Sequence, residues 1–259
     1  MKNLATATCA IAGVLLSIGM TAQANGANEE GFYDTSGDVT FKASNNLEKP
    51  VHPENPDPSN PVEPSNPVDP EKPIQEGTSG PLSIDFVSNF QFGEQIISTD
   101  DEIYYAQPQT YKSGQQQSAN YVQVTDKRGT SDGWSLSVKQ QADFTAQSET
   151  TYKTLEGVEI KLAADKGKVN SSSDSTKPVT KEVILTGADS SAEIMRAERL
   201  AGTGTWTSTI GELIENPTIE KREEMPFVNS GVELSVPGET QKDAVTYATT
   251  LQWTLSQIP

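Results

Sequence analysis

Residues 244–256 read AVTYATTLQWTLS, and this stretch decides the fold class. Val245, Tyr247, Thr249, Leu251, Trp253 and Leu255 fall on every second position, with Thr246, Ala248, Thr250, Gln252 and Thr254 between them. Side chains along a strand alternate between its two faces, so one face is mostly apolar and the other small and polar. That is the pattern of a strand with one side packed on a core and the other in water. A shorter version lies upstream in GWSLSV, residues 133–138, where Trp134, Leu136 and Val138 share a face. The tripeptide Trp-x-Leu therefore occurs twice, each time on an alternating strand.

Working outward, Leu82, Ile84 and Phe86 alternate in PLSIDFV. Residues 121–125 (YVQVT) form another strand. The polar, glycine-containing connection that follows, leading into the strand at 133–139, fits an antiparallel pair. Val158, Ile160 and Leu162 alternate, as do Val232, Leu234 and Val236. Residues 182–185 (EVIL) form a short apolar run, and GTGTW at 202–206 opens a further strand. Residues 163–178 are polar and serine-rich and read as a surface loop. The stretch SSAEIMRAERL, 190–200, carries helix-favouring residues behind a possible serine N-cap, yet it fits a strand equally in an otherwise β chain. Several short strands with glycine- and proline-marked turns predict an all-β, antiparallel sandwich over residues 81–259.

Upstream the composition changes. Prolines fall at 50, 53, 56, 58, 61, 64, 67, 70 and 73, a spacing of three with one slip. Polyproline II has three residues per turn, so these prolines line one edge of such a helix. Residues 50–80 are expected to be a proline-rich, polyproline-II-like linker, in which Pro50 to Pro73 form a spacer reaching about 70 Å when extended and residues 75–80 a flexible joint. Residues 25–49 are read as a short, flexible N-terminal segment. Residues 1–24 have the form of a signal peptide: Lys2, an apolar run from Leu4 to Met20, and Ala22-Gln23-Ala24 as a small-x-small cleavage site. The single cysteine, Cys9, lies inside that segment. The processed chain would then have no thiol, which removes disulfides, thiolate catalysis and cysteine metal sites together.

The formal net charge of -17 argues against nucleic acid and anionic lipid as partners. The single histidine, His52, sits in the proline-rich stretch, so neither a Ser-His-Asp arrangement nor an imidazole metal site is indicated. No glycine-rich phosphate loop links a strand to a helix. The carboxylates form no signature. The expectation is a non-enzymatic protein without a cofactor or metal. The tryptophans leave two readings open: core residues of the sandwich, or stacking platforms for sugar rings, which need no charge.

The motifs together resemble the WxL-domain cell-surface proteins of Gram-positive bacteria, of the small type. The residues that carry the likeness are GPLSIDFVSNFQFG at 80–93, YVQVTDKRGTSDGWSLSV at 121–138, GTGTW at 202–206 and LQWTLSQIP at 251–259, behind a proline-rich preamble. The resemblance implies a secreted protein held non-covalently on the cell wall through peptidoglycan. It also implies a place in surface adhesion complexes with other WxL-type proteins, a membrane-anchored companion, and host or matrix proteins. By motif position Trp134, Leu136, Trp253 and Leu255 are the candidate ligand-binding residues. An alternative is an assembly subunit that binds protein and is held at the surface by a companion without touching glycan.

Overall fold

A computed structural model describes residues 33–67, 72–112 and 114–259. The expected signal peptide lies outside the described residues. Residues 33–40 have no regular structure and are exposed. Phe41–Pro259 form the folded unit.

In chain order the strands are β1 (Leu82–Val87), β2 (Glu102–Ala106), β3 (Tyr121–Asp126), β4 (Gly133–Gln140), β5 (Thr145–Ala146), β6 (Glu159–Ala163), β7 (Val169–Ser171) and β8 (Val179–Thr180), followed by β9 (Glu182–Leu185), β10 (Ser191–Ala197), β11 (Gly204–Thr209), β12 (Leu213–Glu215), β13 (Phe227–Val236), β14 (Tyr247–Ala248) and β15 (Leu251–Ile258). One-turn 3-10 helices cover Ala164–Lys166 and Ile219–Lys221. Three sheets carry the structure, ordered β1-β3-β11-β7, β15-β4-β10-β8 and β12-β13-β6-β9, with β2 also paired to β13. β14 and β5 make a small two-stranded ribbon. All these strand pairings are antiparallel. The fold is all-β, as the alternation predicts.

Side chains from all three large sheets meet in one hydrophobic core. Val122, Val124 and Trp206 enter from the first sheet, Trp134, Leu136 and Ile194 from the second, and Ile160, Leu162 and Val232 from the third. Burying each large aliphatic or aromatic side chain is worth roughly 1.5–3 kcal/mol, and this stabilises a chain with no disulfide among its described residues.

Several local expectations change. β3 and β4 do not pair with each other: β3 lies between β1 and β11, and β4 lies between β15 and β10. The connection between them carries the chain from one sheet to the next. Arg128 braces it, donating Nε and Nη2 to the Asp126 carboxylate at 3.0 and 2.8 Å and Nη2 to the Asp132 carbonyl at 2.8 Å. The SSAEIMRAERL stretch becomes β10, because Ile194, Met195 and Ala197 are buried between β4 and β8. Burial in a sheet overrides a propensity worth tenths of a kcal/mol per residue. The serine-rich stretch 163–178 contributes β7, which pairs with β11, and buries Ala163 and Ala164.

In β1 the register slips between Ile84 and Phe86, so Ile84 partners Val124 while Phe86 partners Gln123. A bulge at Asp85 places two residues opposite one. Ile84 therefore joins the main core, and Phe86 joins Val62, Tyr111 and Tyr121 in a second cluster. All six residues of β3 are buried, which requires a cover on the side away from the main core.

That cover is the proline-rich segment. Expected as an extended spacer, its first part is folded onto the sheet instead. The Gln123 side chain accepts from the Val51 N–H at 2.8 Å and donates to the Lys49 carbonyl at 3.0 Å. The Pro53 carbonyl accepts from Thr207 Oγ1 at 3.0 Å and Asn170 Nδ2 at 2.8 Å. Farther along, Lys112 N donates to the Glu63 carbonyl and Ser65 N to the Thr110 carbonyl, each at 2.8 Å. Val51, Pro53, Val62 and Pro64 are buried, and His52 lies against the Tyr111 ring with centroids 5.3 Å apart. Asp85 is enclosed beneath this strap and accepts from Ser83, Gln123 and Thr125 at 2.6, 2.9 and 2.6 Å. Burial raises its pKa, and those three donors work against the rise. Proline edges leave backbone carbonyls open on the other edges, and here buried polar side chains satisfy them.

Candidate functional site

The two Trp-x-Leu stretches lie side by side on β4 and β15. Their register pairs Leu136 with Leu255, Trp134 with Gln257, and Val138 with Trp253. Directly opposed residues in an antiparallel pair point to the same face. All four motif residues therefore look the same way, toward the core. The outward face carries Ser135, Ser137 and Lys139 on β4 and Gln252, Thr254 and Ser256 on β15. The alternation read from sequence is the alternation of burial.

The two strands are not equivalent. β4 is central, flanked by β15 and β10, and Trp134 and Leu136 are 0% exposed. Neither can offer a ring or methyl group to a ligand at the surface. Trp134 fits because its neighbours are small. Ala197 is its register partner on β10, and Gly202 crosses the indole at φ +73. The Trp134 Nε1–H donates to the Gly202 carbonyl at 3.1 Å, which satisfies the one polar atom of a fully buried ring. A Cβ on Gly202 would lie 2.4 Å from the Ala197 Cβ and 2.6 Å from Trp134 Nε1, so the position has room for no side chain. Trp206, on β11, is also buried and donates Nε1 to the Thr203 carbonyl at 3.1 Å.

β15 is an edge strand, and Leu251, Trp253 and Leu255 are half-buried against the core. Among the described residues the Trp253 indole N–H meets no acceptor. Of the four candidates, Trp253 and Leu255 alone keep some accessible surface. The edge they line is uncharged from Tyr247 to Pro259.

Outside the pair, Glu193 on β10 gathers charge on the solvent face of the same sheet. Its carboxylate accepts from Ser135 Oγ at 2.6 Å, Lys181 Nζ at 2.8 Å and Arg196 Nη1 at 3.2 Å. Desolvation opposes its charge, but these three donors outweigh it and hold the Glu193 pKa down to about 2. No sequence signal marks this cluster, because Lys181 (between β8 and β9), β10 and β4 come together only through the fold. Among the described residues, no group of three His, Cys, Asp or Glu side chains is arranged to hold a metal ion.

A family model described as "WxL domain surface cell wall-binding" matches residues 28–259. No curated protein and no solved structure matches the chain. The match begins well before the first strand and takes in the whole proline-rich strap, in agreement with the packing of that strap on β3 and β11.

Proposed function

The chain belongs to the WxL family of surface, cell-wall-binding domains, and from that premise we propose that it is exported by its N-terminal signal and held non-covalently on the wall through peptidoglycan. The observation that carries this reading is the extent of the match, which takes in the folded unit from its strap to β15. A chain of net charge -17 gains nothing from simple attraction to anionic wall polymers, so hydrogen bonds and ring stacking would do the holding. The role is binding rather than catalysis, without cofactor. The test is sedimentation of the purified protein with protein-free sacculi. Co-sedimentation that survives high salt supports the reading, and failure to sediment would sink it.

The free edge of β15 favours a second reading. Edge strands usually carry charges, prolines or bulges that block pairing with other chains. Leu251–Ile258 has no charge and an unbroken register with β4. It is suited to receive an added strand from a protein partner, such as another WxL-type protein or a membrane-anchored companion in an adhesion complex. Retention on cells only in the presence of such a companion, without sacculus binding, would favour this alternative.

A further inference from the structure

We propose that glycan is held not by the Trp-x-Leu strands but by the open groove between the loops 151–157 and 237–241, and that its ligand is an uncharged stretch of N-acetylated saccharide; the proposal rests on the peptidoglycan reading above. The groove encloses about 600 Å³, inside the roughly 300–1,000 Å³ range of small-ligand clefts. Its rim carries Tyr152, Lys153, Glu156, Glu239 and Gln241, and its floor is the buried Thr240.

Three observations point to a saccharide. The first is the aromatic. Trp134 and Trp206 are buried and Trp253 is half-buried, so they offer little ring surface. Tyr152 is 40% exposed and lies at the groove, whereas the other exposed aromatics among the described residues, Tyr33, Phe41 and Phe227, do not line it. A sugar ring presents an apolar C–H face that suits a phenol ring.

The second is rigidity. The backbone on both sides of Tyr152 is tied down. Asp243 Oδ2 accepts from the Thr151 and Tyr152 N–H groups at 3.0 and 2.9 Å and from the Thr150 hydroxyl. The Tyr247 hydroxyl donates to the Tyr152 carbonyl at 2.7 Å and accepts from Asp243 N at 3.0 Å. Thr240 Oγ1 joins the two loops by donating to the Glu156 carbonyl at 2.7 Å. Binding would therefore cost little loop ordering.

The third is the polar lining. The Glu156 and Glu239 carboxylates and the Gln241 amide are strong partners for hydroxyl and acetamido groups. The two carboxylates outnumber the one cation on the rim, Lys153, which is itself paired with Glu149 at 3.5 Å, so an anionic wall polymer is disfavoured at this place.

The experiment uses the full chain, with Tyr152→Ala and Trp253→Ala, both checked by thermal denaturation. Each protein is sedimented with sacculi. Each is also titrated with the N-acetylglucosamine tetramer and with poly(glycerol phosphate), with changes followed by NMR. The expected result is that wild type and Trp253→Ala bind sacculi and tetramer alike, while folded Tyr152→Ala binds both about five- to tenfold more weakly, the loss of one aromatic contact. Equal binding by wild type and Tyr152→Ala overturns the groove and leaves wall binding standing. Binding of poly(glycerol phosphate) in preference to the tetramer overturns the ligand class. A wild-type protein that ignores sacculi overturns the wall reading and, with it, the groove. Should Trp253→Ala lower the melting temperature, Gln241→Ala and Glu239→Gln, both at exposed positions, repeat the comparison on the groove side. Retention of full tetramer affinity by both would count against it.

Discussion

Leu136 and Leu255, the third residues of the two Trp-x-Leu motifs, are register partners across β4 and β15. Trp134 lies two residues to one side of this contact and Trp253 two residues to the other, on the same face. At about 3.4 Å per residue the two indoles attach roughly 14 Å apart along the ribbon. The Leu136–Leu255 pair lies between the two attachment points on the same face. The repeated tripeptide is thus a packing unit made by two distant segments of chain, and its leucines should be energetically coupled. Leu136→Ala removes a fully buried side chain and is expected to cost about 2–5 kcal/mol. Leu255→Ala, on the half-buried edge, should cost less. The double variant should depart from the sum by about 0.5 kcal/mol or more, as touching residues do. Urea denaturation of the three proteins measures this, and strict additivity would show that the pair is not in contact.

Gly202 and Trp134 form a second coupled pair. Gly202→Ala places a methyl group within 2.6 Å of the indole nitrogen at a position with φ +73. It should destabilise the fold by more than the ~1 kcal/mol that glycine-to-alanine strain alone costs at positive φ. Trp134→Phe keeps most of the apolar contact but leaves the Gly202 carbonyl without its donor, at a cost of about 1–3 kcal/mol. Melting temperatures compare the two. A neutral Gly202→Ala would mean that the 200–204 turn does not press on the ring.

The Glu193 cluster gives the fold an acid limit. Its pKa of about 2 lies below the ordinary 4.5, so the unfolded chain takes up a proton first. The stability it contributes is fully present above pH 4.5 and is lost as pH falls toward about 2. Glu193→Gln should flatten the fall in denaturation midpoint across that window and lower stability at neutral pH. Asp85 acts in the opposite sense: burial raises its pKa, so its contribution is present below 3.8 and lost as pH rises through the raised value. An unchanged pH profile for Glu193→Gln would show that Lys181, Arg196 and Ser135 do not hold the carboxylate in solution.

Much of the ribbon was legible in sequence, because a period of two is a local signal and both β4 and β15 keep it. What the period could not reveal is which strands meet. Leu136 and Leu255 come together across more than a hundred residues, while β3 and β4, joined by six, lie in different sheets. The bulge at Asp85 puts Ile84 and Phe86 on opposite sides although their spacing says the same side. β10 is ambiguous between helix and strand by composition, and burial makes it a strand. β5 and β8 span two residues each, too short to show any period. The stretch 244–256, read as one strand, is broken at Thr249–Thr250: β14 turns to pair with β5, and only β15 runs beside β4. The Tyr152 groove is built by two loops whose hydrogen bonds run from Thr150 to Asp243 and from Tyr152 to Tyr247, and nothing in either loop's composition announces the other.

The strap gives the last prediction. Prolines at a spacing of three describe a helix with open carbonyls, but the spacing is the same whether the helix stands free or lies on a sheet. Gln123 decides the matter, because its buried amide holds Val51 N, the Lys49 carbonyl and Asp85 at once. Gln123→Ala removes these contacts and leaves the Asp85 carboxylate one donor short beneath the strap. Release of residues 49–53 then becomes the cheaper state, since water can satisfy the freed groups. Limited proteolysis followed by mass spectrometry should show faster cleavage between residues 41 and 65 in Gln123→Ala than in wild type, with the β4–β15 region still protected. Thr207→Val, which removes one of the two donors to the Pro53 carbonyl and leaves Asn170 Nδ2 in place, should give an intermediate rate. A segment that was a free spacer would be cut equally fast in all three proteins, and that outcome would separate the strap from the folded unit.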